Sequence, residues 1–67
     1  MPFKYSPGAS IEAPFGGRQF TVVRQVSAGA TEDNHVVEVD CYVLKSTEDG
    51  SEAAVNAALV DTKYKTI

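Results

Sequence analysis

Cys41 and His35 are the only cysteine and the only histidine in this 67-residue chain, and so its only nucleophile–base candidates. They stand at the two ends of His35-Val36-Val37-Glu38-Val39-Asp40-Cys41, a stretch whose β-branched residues suit a pleated strand. Extended at roughly 3.3 Å per residue, the two are ~20 Å apart and cannot touch within one chain. Only a second subunit could complete a Cys-His dyad. Glu38 and Asp40 lie two apart on one face of the same stretch, with Cα atoms roughly 7 Å from each other. Paired carboxylates serve acid–base chemistry or a hard cation when further ligands or a nucleophile stand beside them, and here neither does. Gly16-Gly17-Arg18 is a fragment of a phosphate loop without the rest of the Walker spacing. One Cys and one His do not make a structural zinc site. The chain therefore reads as a non-enzyme with no cofactor and no metal.

The element that must position these residues is the longer run from His35 to Lys45. Alternate side chains of a strand point to opposite faces. One row, Val37, Val39, Cys41 and Val43, is continuously apolar. The other, Val36, Glu38, Asp40, Tyr42 and Leu44, is mixed. This pattern predicts a strand with its first row buried, Cys41 serving as a small core residue, and Phe20, Val22, Val37, Val39, Cys41 and Val43 sharing one face.

Size limits what that core can do. A chain this short forms one domain and buries only roughly 60% of its unfolded surface, so its own core is marginal. Small scaffolds add disulfides, metals or partner chains, and with a single cysteine and no zinc set a partner chain is the support left. The formal net charge is −3. It is uneven: residues 31–52 hold seven acids against Lys45 alone, whereas residues 1–30 hold Lys4, Arg18 and Arg24 against Glu12. No clustered basic face points to nucleic acid. No apolar run approaches the roughly 20 residues that cross a bilayer. No secretory signal pattern opens the chain, and a lone cysteine suits a reducing compartment, so a cytoplasmic location is expected.

Residues 1–17 contain all three prolines and three of the five glycines. They read as an extended arm, with a short strand near Ser10 to Ala13, preceding a β-rich domain at residues 18–67. Phe3, Tyr5, Ile11 and Phe15 are too many large apolar groups for a free tail. The arm either folds back over its own sheet or lies on another protein. Pro2, Pro7 and Pro14 stiffen it for either role.

Residues 18–27 alternate as a strand with Phe20, Val22 and Val26 on one row. Arg24 interrupts that row, and a buried unpaired charge costs several kcal/mol. This places Arg24 at a rim beside Glu38 or Asp40, at an interface, or turned outward by a bulge at Val22-Val23. Residues 28–34 form a loop, with Glu32 and Asp33 beside a solvated His35. Residues 46–51 form a turn. Residues 52–61, EAAVNAALVD, favour a helix through their alanines, capped by Asp49 or Ser51. The alternative is a hairpin at Asp49-Gly50 with a third strand over residues 53–60. Residues 62–67 suit a lysine-guarded edge strand.

The fold class expected is α+β, β-rich: a small antiparallel sheet of two to three strands with one short helix and an irregular N-terminal arm, or else all-β. The function expected is that of a small structural or protein-interaction subunit. It would dock into a larger assembly or a homo-oligomer through Phe3, Tyr5, Phe15, Arg24, Glu38 and Asp40. An acidic regulator of a protein target and a non-catalytic small subunit of an enzyme complex are the alternatives.

Overall fold

The computed structural model describes residues 3–32 and 34–67. Pro2, one of the stiffening prolines, and Asp33, one of the acids beside His35, lie outside them. The chain runs β1 (Ser10–Glu12), β2 (Gln19–Val26), β3 (Thr31–Glu32), β4 (His35–Val36), β5 (Cys41–Ser46), β6 (Glu52–Asn56), α1 (Ala57–Lys63) and β7 (Lys65–Thr66). The fold is β-rich with one short helix, as the residue pattern implied. The main sheet is larger than expected: five strands in the order β6-β5-β2-β1-β7, not two to three. Three of them are short strands of three, five and two residues, in segments where the sequence suggested a short strand, a helix with a strand as the alternative, and an edge strand. A separate small hairpin pairs β3 with β4.

The core lies on the face of the sheet that carries α1. Tyr5, Ile11, Val22, Tyr42, Leu44, Ala57 and Val60 form one buried cluster, with Phe3, Phe20, Val55 and Tyr64 packed against it. The row of β5 that faces this core is therefore Tyr42 and Leu44, not Cys41 and Val43. The run from His35 to Lys45 is also not one strand. Residues 37–40 leave the ladder between β4 and β5, so the alternation of one half does not carry into the other. Val39 is 49% exposed, and Cys41 is only half-buried.

The arm has folded back. Tyr5 is buried, and its hydroxyl donates to the carbonyl of Tyr64 at 2.9 Å. Phe3 sets its ring edge-on to Tyr42, at 5.3 Å between centroids. Ile11 is fully buried in β1, which pairs with β2 on one side and β7 on the other.

Residues 52–61 are divided between strand and helix. Alanine favours helix by tenths of a kcal/mol per residue, whereas β5 offers unpaired backbone groups along its whole length. The Asp49-Gly50 turn, with Gly50 at φ 76°, returns the chain so that residues 52–56 fill that vacant side. Ala53 and Val55 then stand beside Leu44 and Tyr42 on the core face. The helix starts only at Asn56, whose side-chain oxygen accepts the Ala58 N–H at 2.8 Å. Asp49 instead accepts from the N–H and hydroxyl of Ser51, which hold its carboxyl below the ordinary value.

Tyr42 ties the arm, sheet and helix together. Its hydroxyl accepts from the Tyr5 N–H at 3.0 Å and donates to the Asp61 carboxylate at 2.6 Å. Burial, then the bond to Asp61, raise its pKa above the ordinary 10.0. Because the folded value exceeds the unfolded one, this stabilisation is complete below pH ~10 and is lost as pH rises through the folded value. Tyr42→Phe should cost roughly 1–3 kcal/mol at neutral pH, since it leaves the Tyr5 N–H unmet. Urea unfolding across the alkaline range should show wild type losing stability more steeply than Tyr42→Phe. Equal slopes would contradict the role assigned to the hydroxyl.

Candidate interaction surface

The second face of the sheet, opposite α1, carries the residues that the core leaves out. A break in register between Val22 and Arg24 brings it about. Val22 pairs with Leu44, but Arg24 pairs with Val43 and Val26 with Cys41. One extra residue inverts every later side chain of β2, so Arg24 and Val26 turn away from the core and Gln25 turns toward it. Gln25 uses this position to donate to the Tyr5 carbonyl at 2.7 Å.

Val26 and Val43 are buried on this second face, where Glu32 of β3 and Val37 just after β4 line a groove with them. The segment around β3 and β4 is pinned by backbone bonds from Gly29 to the Val37 carbonyl and from Val37 to the Ala30 carbonyl, at 2.7 and 2.8 Å. Asp40 holds its base by accepting the Ala28 N–H at 2.8 Å. Arg24 pairs with Glu32 of β3, not with Glu38 or Asp40. The groove is about 170 Å³, with Val26, Val37, Cys41, Val43 and Ala54 among its lining and the Arg24–Glu32 pair within it. Pockets that enclose a cofactor or drug-sized molecule run to ~300–1,000 Å³, so this groove suits a side chain or a strand edge.

The groove opens onto β6, the outermost strand. The backbone bonds of β5 and β6 fix which groups of β6 are free. Ala57 donates to the Asp40 carbonyl and Ser46 to the Ser51 carbonyl, at the two ends of a continuous register. Hydrogen-bonded pairs alternate along an antiparallel ladder, so Ala53 and Val55 bond inward to Leu44 and Tyr42. The N–H and C=O groups of Glu52 and Ala54 and the N–H of Asn56 point outward, while the Asn56 C=O, as the N-cap carbonyl, already accepts the first helical N–H of α1. All three residues are exposed. The other outer strand, β7, has two residues, with Lys63 and Lys65 at hand. Short length and lysines protect an edge from pairing, and β6 has neither.

The residues expected at an interface are thus dispersed. Tyr5 is in the core and Phe3 is half-buried beside it. Glu38 is exposed and Asp40 is half-buried, both in the irregular link between β4 and β5. Arg24 lies in the groove. Phe15 is 82% exposed at the tip of the β1–β2 turn, followed by Gly16 and Gly17 at φ 69° and 64°. Missed in the sequence were Ala54 and the free edge around it. The turn pair Asp49-Gly50 signalled a strand after it, but only the order of the sheet makes that strand an edge. His35 is exposed in β4, while Cys41 is in register with Val26 and Asn56. Among the described residues no group of three or more His, Cys, Asp or Glu side chains could hold a metal ion. No helix among them is long and apolar enough to cross a membrane.

Fold and surface together define a small antiparallel β domain with one guarded and one unguarded sheet edge. No protein-family description, curated protein or solved structure matches the chain.

Proposed function

We propose that this chain is a small protein-interaction subunit, acting within a larger assembly or a homo-oligomer. The observation that carries this reading is the unguarded β6 edge beside a half-covered apolar groove. An edge of this kind offers a row of unmet backbone groups to an extended segment, and neighbouring pockets supply side-chain selectivity. Phe15 is the one aromatic of the arm left on the surface and gives a second point of contact near the far end of β2. Phe3 and Tyr5 serve the chain's own core instead. The domain has one small core, which favours association as a source of further burial.

The test is co-purification of the full chain from its native source, beside an Ala54→Arg variant. Ala54 is exposed, so the variant should melt as wild type does while obstructing both groove and edge. Partners held by wild type and lost by Ala54→Arg are the expected result. Equal recovery with both chains would remove the edge and groove from the interface.

A further inference from the structure

We propose that the occupant of the β6 edge is a second copy of this chain, joined by antiparallel β6–β6 pairing about a two-fold axis at Ala54. The proposal rests on the interaction reading above and names its partner.

The argument begins with the outward groups. Glu52 and Ala54 each turn an N–H and a C=O away from β5, and Asn56 turns an N–H away, its C=O already accepting the first helical N–H of α1. In a two-fold arrangement with Ala54 opposite Ala54, Glu52 falls opposite Asn56 of the other copy, and every outward N–H of both strands finds an acceptor, the Glu52 N–H sharing the Asn56 C=O with α1. Moving the axis to Ala53 leaves the Asn56 N–H unmet. Moving it to Val55 leaves the Glu52 groups unmet. A one-residue slip sets outward groups against inward ones. The strand therefore selects its own register.

The side chains agree with that register. Ala54 meets Ala54 on the groove face, where two methyl groups allow close approach. Ala53 meets Val55 on the core face, extending the apolar row that includes Leu44 and Tyr42. Glu52 meets Asn56 and not another acid. The Asn56 side-chain oxygen accepts the Ala58 N–H, which directs its NH2 group outward as the donor. An ionised Glu52 presents acceptors only. Directly opposed pairs of this kind stabilise a ladder, whereas opposed like charges destabilise it. The contact is isologous and closes on itself, giving a dimer and not a fibre. Five residues per chain make a seam far smaller than the roughly 20–30 residues a side of a standard specific interface, so association should be weak and depend on concentration.

A cysteine scan reads the register directly. In a Cys41→Ser background, Glu52→Cys, Ala54→Cys and Asn56→Cys chains are oxidised mildly after a sedimentation concentration series. Opposed residues of a hydrogen-bonded pair have Cα atoms ~5.5 Å apart, within reach of a disulfide. Only Ala54→Cys should link efficiently, because it alone faces itself. Ala54→Pro removes one outward N–H, leaves the β5–β6 ladder intact, and should yield a folded monomer. Cross-linking as fast at 52 or 56, or a dimer that survives Ala54→Pro, would overturn the register and the edge. A chain that stays monomeric up to about 1 mM would overturn the proposal. In that case, Ala54-dependent capture of a different protein would leave the interaction reading standing, and its absence would remove both.

Discussion

A chain lacking residues 1–15 should show no cooperative unfolding transition at 25 °C. The deletion removes β1 from between β2 and β7 and takes Tyr5 and Ile11 out of the core. Fully burying a large apolar side chain is worth about 1.5–3 kcal/mol. Tyr5 and Ile11, with the half-buried Phe3 beside them, then approach the whole stability of a domain this size, which at ~0.05–0.15 kcal/mol per residue is several kcal/mol. The Tyr5 N–H also leaves the Tyr42 hydroxyl, and Gln25 loses the Tyr5 carbonyl. Circular dichroism in a urea series and the dispersion of amide proton shifts both read the outcome. A shortened chain that still melts sharply would show that residues 1–15 sit on the domain without supporting it.

The second large effect concerns the face of β5. Leu44 is 1% exposed among Val22, Ile11 and Tyr42. Leu44→Ala should cost about 2–5 kcal/mol, the transfer of its side chain plus the cavity left behind. Val39→Ala is the control, because Val39 is 49% exposed and lies outside the strand. Its denaturation midpoint should stay within the ±0.5 kcal/mol typical of surface changes. If Val39→Ala were as damaging as Leu44→Ala, the core would be on the other face.

These two predictions mark where the residue pattern was legible and where it was not. The strands over residues 19–26 and 41–46 were visible in their β-branched and aromatic content. So were the turn at residues 46–51 and a strand near Ser10. The inward face of β5 was misread because Val37, Val39, Cys41 and Val43 form a continuous apolar row. That row holds only if residues 37–40 stay in the strand, and they do not. Tyr42 and Leu44 fill the core with larger side chains, and Tyr42 satisfies its hydroxyl there through Asp61. Residues 52–56 were misread because local helix preference is weak beside the backbone groups that β5 leaves unpaired. The outward turn of Arg24 could be foreseen, since a cation between two valines demands either a partner or a bulge. Its ion partner, Glu32, could not, because the β3–β4 segment is placed by long-range packing. The free edge was hidden for the same reason: a strand shows that it is outermost only once the order of the sheet is known.

Amide hydrogen exchange along β6, followed against protein concentration, tests most directly whether this edge is where the chain meets its partner. Ala53 and Val55 bond inward, so their amides should be protected at every concentration. The amides of Glu52, Ala54 and Asn56 should exchange quickly in dilute solution and slow together as concentration rises. Fast exchange of those three at all concentrations, with or without proteins from the native source, would contradict the account.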